Sequence, residues 1–278
     1  MSVVADVRSI VSRRELLLNL TVRELRGKYK GTVLGWGWSL LNPLATTIIF
    51  TLVFGFVLRV PPPTGVDGLS NYALFLLCAL LPWNFLSAIM TGGMGSLVAN
   101  ANLIKKTAFP RQLLVISVAT AGIVTFAIEM SVLLVVFLFF GVNSLFFIPA
   151  LIPLLLLLAL YGLGLGLLLS VVNVYFRDAS HFVGIFMQIW FYATPIIYPR
   201  ELVDRVIVDN PWVSTYQLDT LYALNPMVSF AEAFRDLLYH QRLPEANQMI
   251  YLVAVTAATL LLGMLAFNRW QGRLAEEL

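Results

Sequence analysis

The sequence predicts an all-α integral membrane protein with six transmembrane helices. Three observations support this prediction: the composition, the lengths of the apolar segments, and the distribution of Lys and Arg. Of the 278 residues, 59% are hydrophobic and 12% are charged, whereas a soluble domain has about 25% charged residues. A soluble fold must still present a polar surface, so the composition excludes that class. The net charge of +3 gives no indication of a nucleic-acid partner.

Six apolar segments approach the length of about 20 residues that a transmembrane helix requires. The predicted spans are 38–58, 72–90, 113–140, 148–174, 182–197 and 249–267. The third and fourth exceed what a bilayer requires, which predicts tilting or extension beyond the membrane. The fifth is short, and Thr194-Pro195 is expected to end or kink it.

The basic residues predict that both termini are cytoplasmic. In a six-span topology, thirteen Lys and Arg residues lie on the side of the N-terminus and five on the other. The thirteen are Arg8, Arg13, Arg14, Arg23, Arg26, Lys28, Lys30, Lys105, Lys106, Arg111, Arg177, Arg269 and Arg273. An excess of Lys and Arg marks cytoplasmic segments, so the chain is expected to begin and end inside the cell.

Residues 1–36 predict a cytoplasmic amphipathic helix at the membrane interface. Apolar residues recur at helical spacing between positions 5 and 30, beside a basic face. Its interfacial set is Arg23, Arg26, Lys28, Lys30, Trp36 and Trp38. The basic side chains would meet anionic lipid, and the tryptophans would lie at headgroup level. A helix packed on a partner protein is the alternative, and the two are compatible.

The spans and the segments that connect them predict one transmembrane domain over residues 1–278. Spans one to five occupy 37–197, an extracytoplasmic segment follows at 198–247, the sixth span is 248–268, and 269–278 form a cytoplasmic tail. Glycines 162, 164 and 166 predict a close contact between helices, either within the chain or between two copies.

The motifs of ATP hydrolysis and of metal or nucleophilic catalysis are absent from the sequence. There is no G-x-x-x-x-G-K-[ST], no H-E-x-x-H, one cysteine and two histidines, so no catalytic residue or metal site is predicted. Uphill transport would therefore depend on an ion gradient or a separate ATPase. Glu129 is the clear ionisable residue at membrane depth. It is interpreted as a structural acid, a conduit or state-change residue, or a proton-coupling group.

Four stretches resemble one family. They are LLLNLTVRELRGKYKGTVLGWGWSLLNPL, NLIKKTAFPRQLL, VVNVYFRDASHFV and LNPMVSFAEAFRDLLY, and they follow one another in the family's order. Together they resemble the polysaccharide-export ABC permeases, the Wzm-type membrane subunits of O-antigen and teichoic-acid exporters.

The resemblance implies a half-transporter in the bacterial cytoplasmic (inner) membrane. Two copies would pair and bind two copies of a separate nucleotide-binding subunit, which would hold ATP and Mg. This chain would hold no cofactor. The cargo would be a lipid-linked polysaccharide: O-antigen, teichoic acid or cell-wall galactan. The alternatives are a type-two ABC exporter of lipid or drug, a secondary transporter or channel, and a membrane glycosyltransferase.

The resemblance also implies ATPase-coupling residues on the cytoplasmic side. The segment 92–111 would contain the coupling helix, with Asn100, Asn102, Lys105, Lys106 and Phe109 as candidates. Arg177 and Asp178 follow the fourth span and would lie near the ATPase or the mouth of the conduit. Alternatively, the lysines only set topology and the second pair is an exposed ion pair.

The predicted conduit or gate combines Glu129 with aromatic residues in and directly after the fifth span. Those residues are Phe182, Phe186, Trp190, Tyr192 and Tyr198. Flat aromatic faces suit the C–H faces of sugars, and Tyr and Trp polar atoms suit hydroxyls; ordinary lipid-facing aromatics are the alternative. Segment 198–247 would form short helices that re-enter the outer leaflet near the exit, or else a simple surface cap.

Overall fold

The computed structural model describes residues 13–59, 63–210, 218–272 and 277, and all regular structure in these ranges is helical. The helices, numbered in chain order, are α1 (Arg14–Tyr29), α2 (Gly37–Phe50), α3 (Tyr72–Ala99), α4 (Ala101–Lys106), α5 (Gln112–Phe139), α6 (Ile148–Tyr175), α7 (Ala179–Tyr192), α8 (Arg200–Asp209), α9 (Leu218–Ala223), α10 (Pro226–Leu238) and α11 (Ala246–Trp270). A π-helical turn, Thr51–Val57, extends α2, and short 3₁₀ turns precede α3 and α6.

Within the residues that the structure describes, five helical segments are long and apolar enough to cross a membrane. They are Gly37–Val57, Tyr72–Ala99, Gln112–Phe139, Ser144–Tyr175 and Ala246–Trp270. The predicted fifth span, 182–197, only overlaps α7, which covers Ala179–Tyr192. This helix has 14 residues and is therefore about 21 Å long, against about 30 Å of hydrocarbon. Helix α7 ends at Tyr192, just before Thr194-Pro195, where the residue preceding a proline disfavours helical backbone.

The centre of the bundle is formed by α3 and α6. Helix α3 packs against α5, α6 and α10, and α6 also packs against α11. A Cβ placed on Gly93 would lie 3.2 Å from Gly166 Cα, and one on Gly164 would lie 2.7 Å from Leu260 N. Small residues allow helix backbones to approach this closely in a membrane. The predicted glycine contacts at Gly164 and Gly166 are therefore formed within one chain.

Side-chain hydrogen bonds define the two ends of the bundle. At one end, Gln112 Nε2 donates to Asn268 Oδ1 at 2.7 Å, and Asn173 Nδ2 donates to Met94 O at 3.2 Å. The C-termini of α3, α6 and α11 therefore lie with the N-terminus of α5, at an end that we call the basic end because it carries Lys105, Lys106 and Arg111. At the opposite end, Ser144 Oγ donates to Leu238 O at 3.0 Å.

Helix α1 packs along α5 of the same chain. Leu20 and Thr21 are buried in this contact, whereas Leu18 and Val22 are exposed. Of the predicted N-terminal helix, residues 1–12 lie outside the described residues. The interfacial location stays a prediction, and the structure adds an intramolecular packing surface for this helix.

The segment before the last long helix contains two contrasting helices. None of the residues of α8 is buried, whereas most of α10 is buried, including Phe230, Phe234 and Arg235. Helix α10 begins after Asn225, whose side chain accepts a hydrogen bond from Met227 N at 3.0 Å, and Pro226 occupies its first turn. An N-capping Asn followed by Pro is a typical helix start.

Candidate coupling and conduit sites

The predicted coupling segment, 92–111, begins inside the last turns of α3, which continues to Ala99, and Asn100 joins the segment to α1. Asn100 Oδ1 accepts a hydrogen bond from Arg23 Nη2 at 2.7 Å, and Asn100 Nδ2 donates to Ser96 O at 2.8 Å. Arg23 also forms an ion pair with Glu24 at 3.2 Å. Arg23, predicted to face lipid, thus connects the N-terminal helix to the predicted coupling segment.

The other predicted coupling residues of this segment surround an apolar anchor. Asn102, Lys105 and Lys106 are exposed, and Phe109 is half-buried against the core. Ile104 is buried and holds α4 onto the bundle. Sequence reasoning missed Ile104, although it follows Leu103 in the only apolar pair of this six-residue helix and precedes the exposed Lys105.

Arg177 and Asp178 are both exposed in the turn between α6 and α7. No ion pair joins them in the part of the chain that the structure describes, so the ion-pair alternative is wrong for this arrangement. They line a 660 Å³ cleft with Tyr175, Phe176 and Phe182. The cleft and α4 both lie at the basic end of the bundle.

The aromatic residues of α7 divide into exposed and anchored groups. Phe182, Phe186 and Tyr192 are 72%, 52% and 53% exposed. Trp190 is half-buried: its ring meets Trp83 edge-on at 5.6 Å, and its Nε1 donates to Asn225 Oδ1 at 2.7 Å. Three aromatic faces are therefore available to a ligand, lipid or second chain, whereas Trp190 attaches α7 to the bundle.

Tyr198 closes the turn after α7. Its hydroxyl donates to Tyr192 O at 2.8 Å, and burial raises the pKa of Tyr198, so the hydroxyl remains a donor at neutral pH. The exposed α7 residues Phe182, Phe186 and Tyr192 form what we call the aromatic stripe. The contact of Tyr198 fixes the backbone at the end of this stripe.

Asn225 is the functional candidate that sequence reasoning missed. Besides accepting from Trp190 and Met227, its Nδ2 donates to Ala193 O and Thr194 Oγ1, each at 3.2 Å. One side chain thus ties the end of α7 to the start of α10. The Asn-Pro pair was readable as a helix start, but nothing local indicated bonds to residues more than thirty positions away.

Glu129 lies apart from the α7 aromatics. It is 9% exposed and lines a 290 Å³ cavity between α1, α2, α3 and α5, together with Lys28 and Trp38. No hydrogen bond, ring contact or shared cavity links Glu129 to α7 within the described ranges. The residues predicted to form one conduit are therefore divided between two places.

The remaining predicted interfacial residues are exposed around the link from α1 to α2. The last turn of α1 contains Arg26 and Lys28, and Lys30 follows it. The start of α2 is flanked by Trp36 and contains Trp38, which are 40% and 42% exposed. This basic and aromatic arrangement is typical of a membrane–water boundary.

Comparison with known proteins places residues 15–239 within the family described as ABC-2 type transporter. The chain is 31% identical to the O-antigen export system permease protein RfbA of Myxococcus xanthus over 273 residues, covering 98% of each protein. A Klebsiella pneumoniae protein of the same name is 30% identical over 94% of each chain. The polysialic acid transport protein KpsM of Escherichia coli is 23% identical over 90% of this chain and 91% of its own.

Proposed function

The chain belongs to the ABC-2 type transporter family, and we propose on that premise that it is the membrane subunit of an ATP-driven polysaccharide exporter. The observation that carries the proposal is the near-full-length similarity to permeases named for O-antigen export. The cargo is a polysaccharide on a lipid carrier, moved across the bacterial cytoplasmic membrane. O-antigen, teichoic acid and cell-wall galactan are the candidate polymers.

The energy for transport comes from a separate subunit that binds ATP and Mg. The chain resembles permease subunits, and its sequence has no phosphate-binding loop. The surface formed by Asn100, Asn102, Lys105 and Lys106 beside the half-buried Phe109 supplies an apolar anchor with a polar rim, the usual composition of a protein interface. Arg177 and Asp178 extend this docking surface at the basic end.

Six crossings and cytoplasmic termini form the topology of this proposal. Helix α7 starts four residues after α6 ends at the basic end. Just beyond α7, Ile197 O accepts from Tyr72 OH at 2.5 Å, at the first residue of α3 and so at the opposite end. This connectivity supports a crossing by residues 179–197. Helix α7 alone is too short to span the hydrocarbon, and the residues after Tyr192 cover the remaining distance.

Two copies of the permease pair around the conduit. Helix α2 exposes Ile48 and Ile49, its π-helical extension exposes Leu52 and Phe56, and α7 exposes its aromatic stripe. Apolar faces of this kind pack against lipid or another helix, and the aromatic faces of α7 suit a sliding sugar chain. Helices α8 and α10 lie next to the end of α7 and re-enter the outer leaflet near the exit.

Deletion of the gene in its host tests this function. We expect the surface polysaccharide to disappear and the lipid-linked polymer to accumulate inside, with recovery on re-expression of the wild-type permease. A matched strain carries a hydrolysis-deficient ATPase partner and should show the same accumulation. Normal surface polymer in the deletion strain would refute the proposal, and loss of drug or lipid export instead would favour the alternative class.

A further inference from the structure

A cavity of 290 Å³ between α1, α2, α3 and α5 is lined by polar groups at membrane depth. Asn42 and Thr46 come from α2, Asn84 from α3, and Thr125 and Glu129 from α5. Each of these helices except α1 is among the long apolar segments. Polar residues within such segments are energetically costly and usually face a water-filled cavity or a ligand.

Several polar groups of the cavity are left with capacity for a ligand. Within the described ranges, the side chains of Asn42, Asn84 and Glu129 have no hydrogen-bonding partner in the protein. The hydroxyls of Thr46 and Thr125 donate to carbonyls of their own helices at 3.0 and 3.2 Å, which leaves their lone pairs as acceptors. Polar groups without a partner in hydrocarbon are destabilising, so water or a polar ligand must satisfy them.

The cavity communicates with the basic end of the bundle. A second cavity of 530 Å³ shares Lys28, Ala88, Gly122 and Thr125 with the first and extends to Ser96 and Asn100. On its far side, Glu129 borders a small apolar pocket of 40 Å³ that includes Leu77, Leu81 and Leu133. A polar route from the cytoplasmic side therefore ends at Glu129.

The chemistry of the lining suits a neutral, hydroxyl-rich ring. The Asn amides donate hydrogen bonds to hydroxyls and accept them, and the Glu129 carboxylate accepts them. Trp38, Phe85 and Phe126 offer flat faces to C–H groups. Lys28 and Glu129, which are residues of opposite charge, both line the cavity, so the lining does not favour an anion or a cation. A volume of 290 Å³ is at the lower limit of ligand pockets, about 300 Å³, and suits one ring.

We propose that this cavity is a loading site that holds one sugar ring of the polysaccharide on the cytoplasmic side. The inference rests on the proposed export of a polysaccharide and names the place where the permease first contacts it. Glu129 and Asn84 hold ring hydroxyls, and Trp38 stacks on the ring. The site lies inside one protomer, separate from the exposed aromatic stripe of α7.

Protection of an engineered thiol tests the site. The single cysteine, Cys78, is buried and is replaced by Ala, and Ala88→Cys then places a thiol where the two cavities meet. Intact cells are treated with N-ethylmaleimide, with and without the enzyme that attaches the first sugar to the lipid carrier. In cells that make the polymer, we expect the thiol of Ala88→Cys to be labelled at least about fivefold more slowly, because a sugar ring occupies the site most of the time. Adding Glu129→Gln or Asn84→Ala should remove this protection.

Two matched alanines control the experiment. Ala108→Cys, in the exposed turn after α4, should be labelled equally in both strains, and Ala127→Cys, exposed on α5 outside these cavities, should be labelled weakly in both. Equal labelling of Ala88→Cys in the two strains, with wild-type export intact, would overturn the loading site and leave the export function standing. Protection that persists in the Glu129→Gln and Asn84→Ala variants would also overturn it.

Discussion

Helices α2 and α3 are neighbours with equally apolar sequences and opposite surroundings. The most apolar windows of the segments Gly37–Val57 and Tyr72–Ala99 have the same mean hydropathy, yet 11% of the first and 78% of the second is buried within the chain. Hydropathy therefore identifies a membrane helix without indicating whether protein or lipid surrounds it. In a bilayer both environments are apolar, so the hydrophobic effect does not distinguish them.

The difference between these helices arises from small residues and buried polar contacts. Helix α3 approaches α6 through Gly93 and holds Asn173 through Met94 O. The segment Gly37–Val57 instead leaves Ile48 and Leu52 to lipid or to a second copy. Helices α3, α5, α6, α10 and α11 thus pack together as a frame, and α2 and α7 lie on its side with exposed apolar surfaces.

The largest effect should come from enlarging a glycine in the frame. A Cβ on Gly164 would lie 2.7 Å from Leu260 N, whereas a Cβ on Gly184 of α7 has no neighbour within 4 Å. Gly164→Leu should eliminate most folded protein, because its side chain would overlap the backbone of α11, which can move aside only if the two helices separate; Gly184→Leu should fold normally. Size-exclusion chromatography in detergent measures both, and equal yields would show that α6 and α11 are not in contact.

Removing a buried cation from the frame should have the next largest effect. Arg235 is fully buried: Nη1 contacts Glu232 Oε1 at 2.9 Å, Nη2 donates to Ile196 O at 2.8 Å, and Cζ lies 3.7 Å from the Phe75 ring centroid. Arg235→Ala should lower stability by about 3–5 kcal/mol, because it breaks a buried pair and releases α10.

The matched control for this change is Arg205→Ala, on the exposed helix α8, which should alter stability by less than about 0.5 kcal/mol. Thermal unfolding of the purified permease compares the two variants. A similar melting temperature for both would mean that Arg235 does not hold α10 in place.

A pair of leucines probes the two helices directly. Leu86 on α3 is 0% exposed and Leu52 beside α2 is 56% exposed. Leu86→Ala should destabilise by about 2–3 kcal/mol through a cavity, and Leu52→Ala by less than about 0.5 kcal/mol. If Leu52→Ala instead separates a dimer without changing the unfolding of the monomer, the exposed face of α2 is an interface.

The smallest effect on stability, with a measurable effect on transport, is expected at the aromatic stripe. The double variant Phe182→Ala, Phe186→Ala should fold normally and reduce export per ATP hydrolysed about fivefold, equivalent to roughly 1 kcal/mol of lost aromatic contact. Trp190 is unsuitable for this test because it also holds Asn225. Phe139→Ala, 85% exposed at the end of α5, is the control. Unchanged export in the double variant would contradict a conduit role for α7.

Much of the candidate coupling site was predictable because its signals are local. Two lysines and a Phe-Pro after a long apolar helix indicate a turn outside the membrane, and Lys105, Lys106 and Phe109 lie in such a segment. Arg23 was not predictable as a partner of Asn100, because the bond joins positions 77 residues apart. For the same reason, nothing local in the sequence indicated that Glu129 lies apart from the α7 aromatics.

The sequence by itself determined that this chain is helical, belongs in a membrane, and has helix boundaries near Pro195 and Pro226. Those properties depend on the length of each apolar segment and on the restricted backbone around proline. Each segment has them independently of the rest of the chain. Only the tertiary structure decided that Arg235, one charge among many in a polar segment, is buried against Phe75, and that Glu129 faces a cavity beside α1. Which helix faces meet depends on shape and hydrogen bonding between distant residues, since lipid and protein interior are equally apolar.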